Sequence, residues 1–208
     1  MSASILSVNV GSVRTVRRGE EDVATAIFKE PVDGRVAVRG VNIAGDDQGD
    51  RSVHGGPVRA IYAYAAEDYA WWEGELGRKL APGTFGENLT TQGFDVNEAL
   101  IGERWSIGTT VLQITIPRVP CFKLAMRMDD PTFVKRFAAA LRPGPYLTIV
   151  HEGELGQGDA IEVIHRPSHR ITIAEMAKIY LFERDRLREL LVPELPESLV
   201  EWVQGQDA

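Results

Sequence analysis

The chain has 208 residues, of which 44% are hydrophobic and 25% charged, with a formal net charge of −7. That length suits one full core with a small appendage, and the composition excludes disordered, collagen-like and low-complexity classes. The negative balance argues against nucleic acid as the main partner, no run approaches the roughly 18 apolar residues of a membrane span, and a lone cysteine excludes an internal disulfide. Met1 leads through Ser-Ala-Ser into a strand-like run and not into a basic and then apolar leader, so the expected location is the cytoplasm.

In chain order, short β-type runs are predicted over residues 5–10, 24–28, 35–41 and 59–64, broken by glycine and proline. A helical pattern follows over 66–76, and its Tyr69, Trp71 and Trp72 read as packing residues. Strands are predicted over 104–107 and 109–116; in the second, Leu112, Ile114 and Ile116 alternate with Gln113 and Thr115, the period of a strand with one buried face. A peripheral helix is predicted over 131–141, with Asp130 as N-cap and Pro131 at the first helical position, where its missing N–H costs nothing. Strands over 146–150 and 160–165 extend the sheet. After His169 the character changes: Thr172 and Glu175 form a capping box, and helices are predicted over 173–181, 184–191 and 197–203. The expected organisation is therefore a mainly β body over 1–168, barrel or sandwich, with a helical segment over 169–208. Short amphipathic helices cannot bury themselves alone, so these cover a barrel edge or join two copies as a homodimer, the alternative being that they dock an electron donor.

Three windows carry chemistry. In 116–123 (IPRVPCFK) a long strand runs into two prolines that bracket Arg118 and deliver Cys121 into irregular backbone, which suits presentation of a thiol to a pocket. Arg118 and Lys123 flank that thiol, and neighbouring cations favour the thiolate, the form that ligates a soft metal or carries sulfur. The alternative is a buried cysteine acting as a small apolar residue. In 49–56 (GDRSVHGG), Gly55 and Gly56 let backbone approach a ligand while Arg51 and His54 can meet an anion; the alternative is a tight turn into a strand. In 83–93 (GTFGENLTTQG), Glu87 and Asn88 stand in a polar cluster, or in an ordinary strand and turn. His151, His165 and His169 lack zinc-site spacing, and neither a P-loop nor a dinucleotide fingerprint is present.

Taken in order, these windows resemble the MOSC domain, named for the C-terminal domain of eukaryotic molybdenum cofactor sulfurases, and in particular its free-standing bacterial YiiM-like branch. The resemblance rests on 25–32 (TAIFKEPV), 50–56 (DRSVHGG), 85–93 (FGENLTTQG), 101–105 (IGERW) and 117–124 (PRVPCFKL), and covers most of the chain. The stretch 50–53 departs from the most familiar form of its motif and leaves Ser52 without a role. The resemblance implies a distorted, mostly antiparallel β-barrel of pyruvate-kinase-like type, with its motif loops converging on a pocket around the cysteine. It also implies a molybdenum cofactor (molybdopterin) with Cys121 as the metal ligand. Arg51, Arg118, Lys123 and donors near Gly55 and Gly56 would hold the pterin phosphate, with Phe85, Gly86 and Asn88 beside it, and His54 or Glu87 would supply a proton. The expected activity is reduction of N-hydroxylated compounds such as hydroxylaminopurines. An external reductase would supply electrons, since iron–sulfur ligation usually takes four cysteines. Two alternatives stay open: a sulfur carrier using a Cys121 persulfide, served by a pyridoxal-phosphate-dependent cysteine desulfurase, and a non-catalytic cofactor-binding module.

Overall fold

Alternating apolar residues and glycine-rich turns sort most of the chain into strands, seen in a computed structural model that describes residues 2–47 and 55–206. The strands preceding the first helix are β1 (Ser4–Val10), β2 (Arg14–Arg18), β3 (Glu21–Thr25), β4 (Glu30–Pro31), β5 (Arg35–Arg39), β6 (Asn42–Ile43) and β7 (Ile61–Ala65). Then come α1 (Ala66–Leu76), β8 (Leu89–Gln92), β9 (Arg104–Ile107), β10 (Thr110–Pro117), α2 (Phe122–Met128) and α3 (Phe133–Ala140). β11 (Pro145–His151), β12 (Gly153–Gly156), β13 (Ile161–His165), α4 (Ile173–Phe182) and α5 (Glu197–Gly205) complete the fold. Short 3₁₀ turns occupy Pro57–Arg59, Val96–Glu98 and Arg184–Leu190. Among the described residues no helix is long and apolar enough to cross a membrane.

The largest sheet has eight strands in the order β13-β9-β10-β11-β7-β8-β1-β4, and its pairings are antiparallel except for β7 with β8. β12, β5 and β6 form a second sheet, and β2 pairs with β3 in a third. Of the expected mainly β, distorted and mostly antiparallel barrel, the large and mostly antiparallel sheet is seen, but the molecule is a mixed α/β fold and this sheet is not closed by a strand ladder. Among the described residues, β1 meets the segment that leads into β13 through the single bridge Ser4–Ala160 and flanking bonds from Ile5 N–H to Asp159 O, from Gly158 N–H to Ile5 O and from Ile161 N–H to Ala3 O.

Three cores hold the layers together. The first fills the inside of the curved sheet with Val8, Ile61, Leu112, Ile114, Leu147 and their neighbours, and every residue of β7 is buried. The second is aromatic: Tyr62, Tyr64, Tyr69, Trp72, Phe85, Phe133 and Phe137 pack between the sheet and α1 to α3. Its polar edges are satisfied, since Trp72 Nε1 donates to Tyr64 OH at 2.8 Å and Tyr62 OH to the Pro143 carbonyl at 2.7 Å. The third core seats the C-terminal segment, with Met176, Ile179, Leu187, Leu190 and Val203 closing on Ile101 and Ile116 of the body. Tyr146 of β11 packs against both the second and the third core.

Local chemistry explains the helix boundaries. α1 spans the predicted residues, with Glu67 and Asp68 in its first turn, where they meet the positive end of the helix, and with Gly77 in the left-handed conformation closing it. Thr172 caps α4 by accepting from Glu175 N–H at 3.1 Å. The helix predicted over 131–141 is shorter, α3, because Asp130 accepts from both the N–H and the hydroxyl of Thr132 and so holds a turn ahead of it. The strand expected over 24–28 lies earlier, as β3, and 59–64 begins as a 3₁₀ turn before β7.

Candidate functional site

β10 delivers the cysteine. Its last residues, Thr115 to Pro117, are buried at the centre of the large sheet, and Arg118 N–H then bonds to the Gly144 carbonyl at 3.1 Å, pinning the exit of the strand. Proline at 117 and 120 prevents the sheet from continuing. Cys121 adopts extended backbone as the residue before α2, and its carbonyl accepts from Leu124 N–H at 3.0 Å. The thiol is partly exposed and free. It lines a cavity of about 100 Å³ together with Arg118 and Lys123 from its own segment and Gly86 and Asn88 from the 83–93 window.

The sequence reading missed the rest of the lining. Thr25, Ala26, Ile27 and Lys29 contribute from the segment after β3, Asp46 and Asp47 from the loop after β6, and Arg59, Tyr62 and Tyr146 from β7 and β11 or the turn before them. Lys29 lies within the 25–32 motif that the family resemblance singled out. Asp46 stands in no motif, and its contact with Lys29 spans a loop that no local pattern reveals.

Lys29 and Asp46 form a buried ion pair, their side chains 8% and 2% exposed. Asp46 also accepts from Gly11 N–H at 2.8 Å and from Asn88 Nδ2 at 2.9 Å, so both of its oxygens are held. Burial weakens the hold of Lys29 on its proton, and Asp46 opposes that effect. Arg118 is different. It is buried, its guanidinium carbon lies 5.4 Å from the ring centroids of both Tyr62 and Phe137, and its Nη1 has no hydrogen-bond partner among the described residues. A buried donor without an acceptor costs free energy, and in a cavity that holds Arg59 and Lys123 as well it suits an anionic ligand.

Among the described residues, Glu87, Phe85, Gly55 and Gly56 of the predicted set do not line the cavity. Glu87 is fully buried and faces away: Oε1 accepts from Tyr69 OH at 2.5 Å, Gly83 N–H at 2.7 Å and Thr90 Oγ1 at 2.8 Å, and Oε2 from Phe85 N–H at 3.1 Å. Burial raises the proton affinity of this carboxyl, while those donors oppose the rise. The proton-donor role expected for Glu87 is therefore corrected to that of an organiser of the 83–93 turn. Phe85, expected beside the cofactor, is instead a fully buried member of the aromatic core. Gly86 is required, because a Cβ there would stand 2.8 Å from Ile27 Cγ1 with φ at +78°. Gly56 has φ of 86° and starts the turn that carries Arg59, but neither it nor Gly55 lines the cavity. Arg51 and His54 lie outside the described residues.

Comparison with known proteins agrees with this arrangement. A model of the MOSC domain matches residues 50–162. The uncharacterized protein YflK of Bacillus subtilis is 34% identical over 170 residues, 82% of this chain and 77% of that protein. A protein of Gibberella moniliformis called reductase is 30% identical over 84% of this chain, which spans 32% of that longer protein. The crystal structure of YiiM from Geobacillus stearothermophilus superposes with a TM-score of 0.81 at 30% identity, over 99% of this chain and 100% of its own. A match over more than half the chain, around a cavity that holds its single cysteine, places this protein in the MOSC domain family, among its YiiM-like members.

Proposed function

We propose that the Cys121 cavity holds a molybdenum cofactor and that the protein is a reductase of N-hydroxylated compounds, hydroxylaminopurines among them. The observation that carries this reading is the buried Arg118 Nη1, without a hydrogen-bond partner among the described residues, in the same cavity as Cys121. The residues present fit such a group on both of its chemical demands. A cysteine thiolate is a suitable ligand for a borderline-soft transition metal, and Arg118, Arg59 and Lys123 offer donors to a pterin phosphate. When bound, the cofactor supplies the two-electron chemistry that no side chain can provide.

The overall change is R–NHOH + 2 e⁻ + 2 H⁺ → R–NH₂ + H₂O, with the electrons supplied by an external reductase. Lys29 Nζ, buried in the cavity wall and held by Asp46, replaces Glu87 as a proton donor; the other expected donor, His54, lies outside the described residues. Tyr62 and Tyr146, whose rings stand 5.2 Å apart, form an apolar wall that limits water at the site. The relative named reductase supports the oxidoreductase class.

The test is molybdenum and pterin analysis of the protein and of Cys121→Ala, both produced in a host that makes the cofactor, followed by turnover of an N-hydroxylated base with a reductase added. Near-stoichiometric molybdenum that disappears with the thiol is expected. Absence of molybdenum from both proteins, with cyanide-labile sulfur on Cys121, would sink the reductase reading in favour of sulfur transfer.

A further inference from the structure

The β2–β3 hairpin takes no part in the chemistry proposed above, yet it stands next to it. Among the described residues its strands pair only with each other, and an isolated two-stranded hairpin is at best marginally stable in water. Most of its side chains are exposed: Val16 and Val23, which face each other across the pair, are half buried, and Thr25 at its base is buried. Beyond that base, cations on aromatic rings tie it to the body. The Arg18 guanidinium lies 4.9 Å from the ring centroid of Phe122 on α2, and that of Arg14 lies 3.5 Å from Phe28, a ring that Arg127 of α2 also approaches, at 5.0 Å. Arg14, Val16 and Arg18 share one face of β2 by strand alternation.

Both clasps end beside the cavity. Phe122 follows Cys121, Phe28 lies between the lining residues Ile27 and Lys29, and Thr25, the last residue of β3, begins the lining run. Between β2 and α2 there is a second void of about 490 Å³, bounded by Val16, Arg18, Phe122 and Met126. The cavity at Cys121 measures only about 100 Å³, whereas ligand sites usually enclose roughly 300–1,000 Å³. In this conformation the enclosed part of the site is smaller than a ligand of ordinary size, and the adjoining hairpin borders a void into which it can move.

We propose that the β2–β3 hairpin is a gate that selects by size what reaches Cys121, with Arg14 and Arg18 as its specificity-determining residues. Cys121 is the single cysteine of the chain, so its modification rate reports on opening in the protein without cofactor, and a chain that binds no molybdenum can still pass or fail. Two neutral reagents are compared, methyl methanethiosulfonate and a maleimide bearing a long polyethylene glycol chain. Arg18→Ala and Arg14→Ala should each raise the rate with the bulky reagent by roughly two- to fivefold, the factor that one exposed cation–π contact is worth, and leave the small-reagent rate unchanged. Arg18→Lys keeps the charge but loses the planar stack, and should behave like Arg18→Ala. Hydrogen exchange in the wild type should be faster over residues 14–25 than in β10. The gate is rejected if the bulky-reagent rate is unmoved in both alanine variants, if both reagents speed up together, or if the hairpin amides are as protected as those of β10.

Discussion

Two walls meet at Cys121, and they differ in how their polar atoms are satisfied. On the 83–92 side, Glu87 accepts four hydrogen bonds, Tyr69 OH in turn accepts from Thr84 N–H at 3.0 Å, and Asn88 bonds to Tyr62 N–H and to Asp46. On the 118–122 side, Arg118 Nη1 has no partner among the described residues, and Val119 and Phe122 are 45% and 41% exposed. The first wall is complete without a ligand, and the second is not. The polar residue types that drew attention in both windows therefore play opposite parts, and burial together with partner lists separates them where residue type does not.

The sharpest way to break this contrast is Glu87→Ala. It strands four donors in the interior and should cost about 3–5 kcal/mol in urea unfolding, with Glu87→Gln milder because one acceptor oxygen remains. Near-wild-type stability would remove the structural reading of that wall. Phe85→Ala should cost about 3–5 kcal/mol by opening a cavity in the aromatic core, while calorimetric binding of inorganic pyrophosphate stays close to wild type. Arg118→Met should do the reverse. An apolar chain of similar length removes a buried donor that lacks an acceptor and should leave stability within about 1 kcal/mol of wild type, but pyrophosphate should bind roughly tenfold more weakly or worse, the worth of a charged hydrogen bond. Loss of stability without loss of binding would show Arg118 to be a packing residue.

The smallest effect concerns the helices behind the second wall. Glu183 is held below the usual carboxylate range by bonds from Lys178 and Arg186, and Glu189 by Arg186, which also pairs with Glu175 of α4. A depressed folded-state pKa contributes stability that is present above the unfolded value, about 4.3 for glutamate, and is lost as pH falls through the folded value. These groups are exposed, so the change should be slight. The difference in fluorescence between wild type and Trp202→Phe should shift below about pH 4.3, before the body unfolds; Trp202 reports on this region because its ring lies 5.2 Å from that of Tyr180.

Where one local pattern dominates, the sequence was legible. α1 and β9 occupy the predicted residues, and α4 and α5 start where predicted. α2 was not foreseen, because the two prolines ahead of Cys121 read as the start of irregular backbone, yet Phe122 to Met128 needs only a place to begin once Pro120 has ended the strand exit. The β2–β3 hairpin escaped notice because arginine and acidic residues occupy both of its faces and hide the period of two. The candidate site divides in the same way. Cys121, Arg118, Lys123, Gly86 and Asn88 were found from their windows, whereas Lys29 with Asp46, and Tyr62 with Tyr146, meet only through tertiary packing.

Tyr146 occupies three environments at once: the aromatic core, the seat of the C-terminal helices, and the lining of the cavity. A ligand that displaces its ring must disturb the contact on which the tail rests, and a change in the tail must alter the shape offered to the ligand. Linkage of this kind is reciprocal. Residues 169–206, none of which lines the cavity, are thereby a remote handle on affinity, and a substitution there can retune the site without touching it.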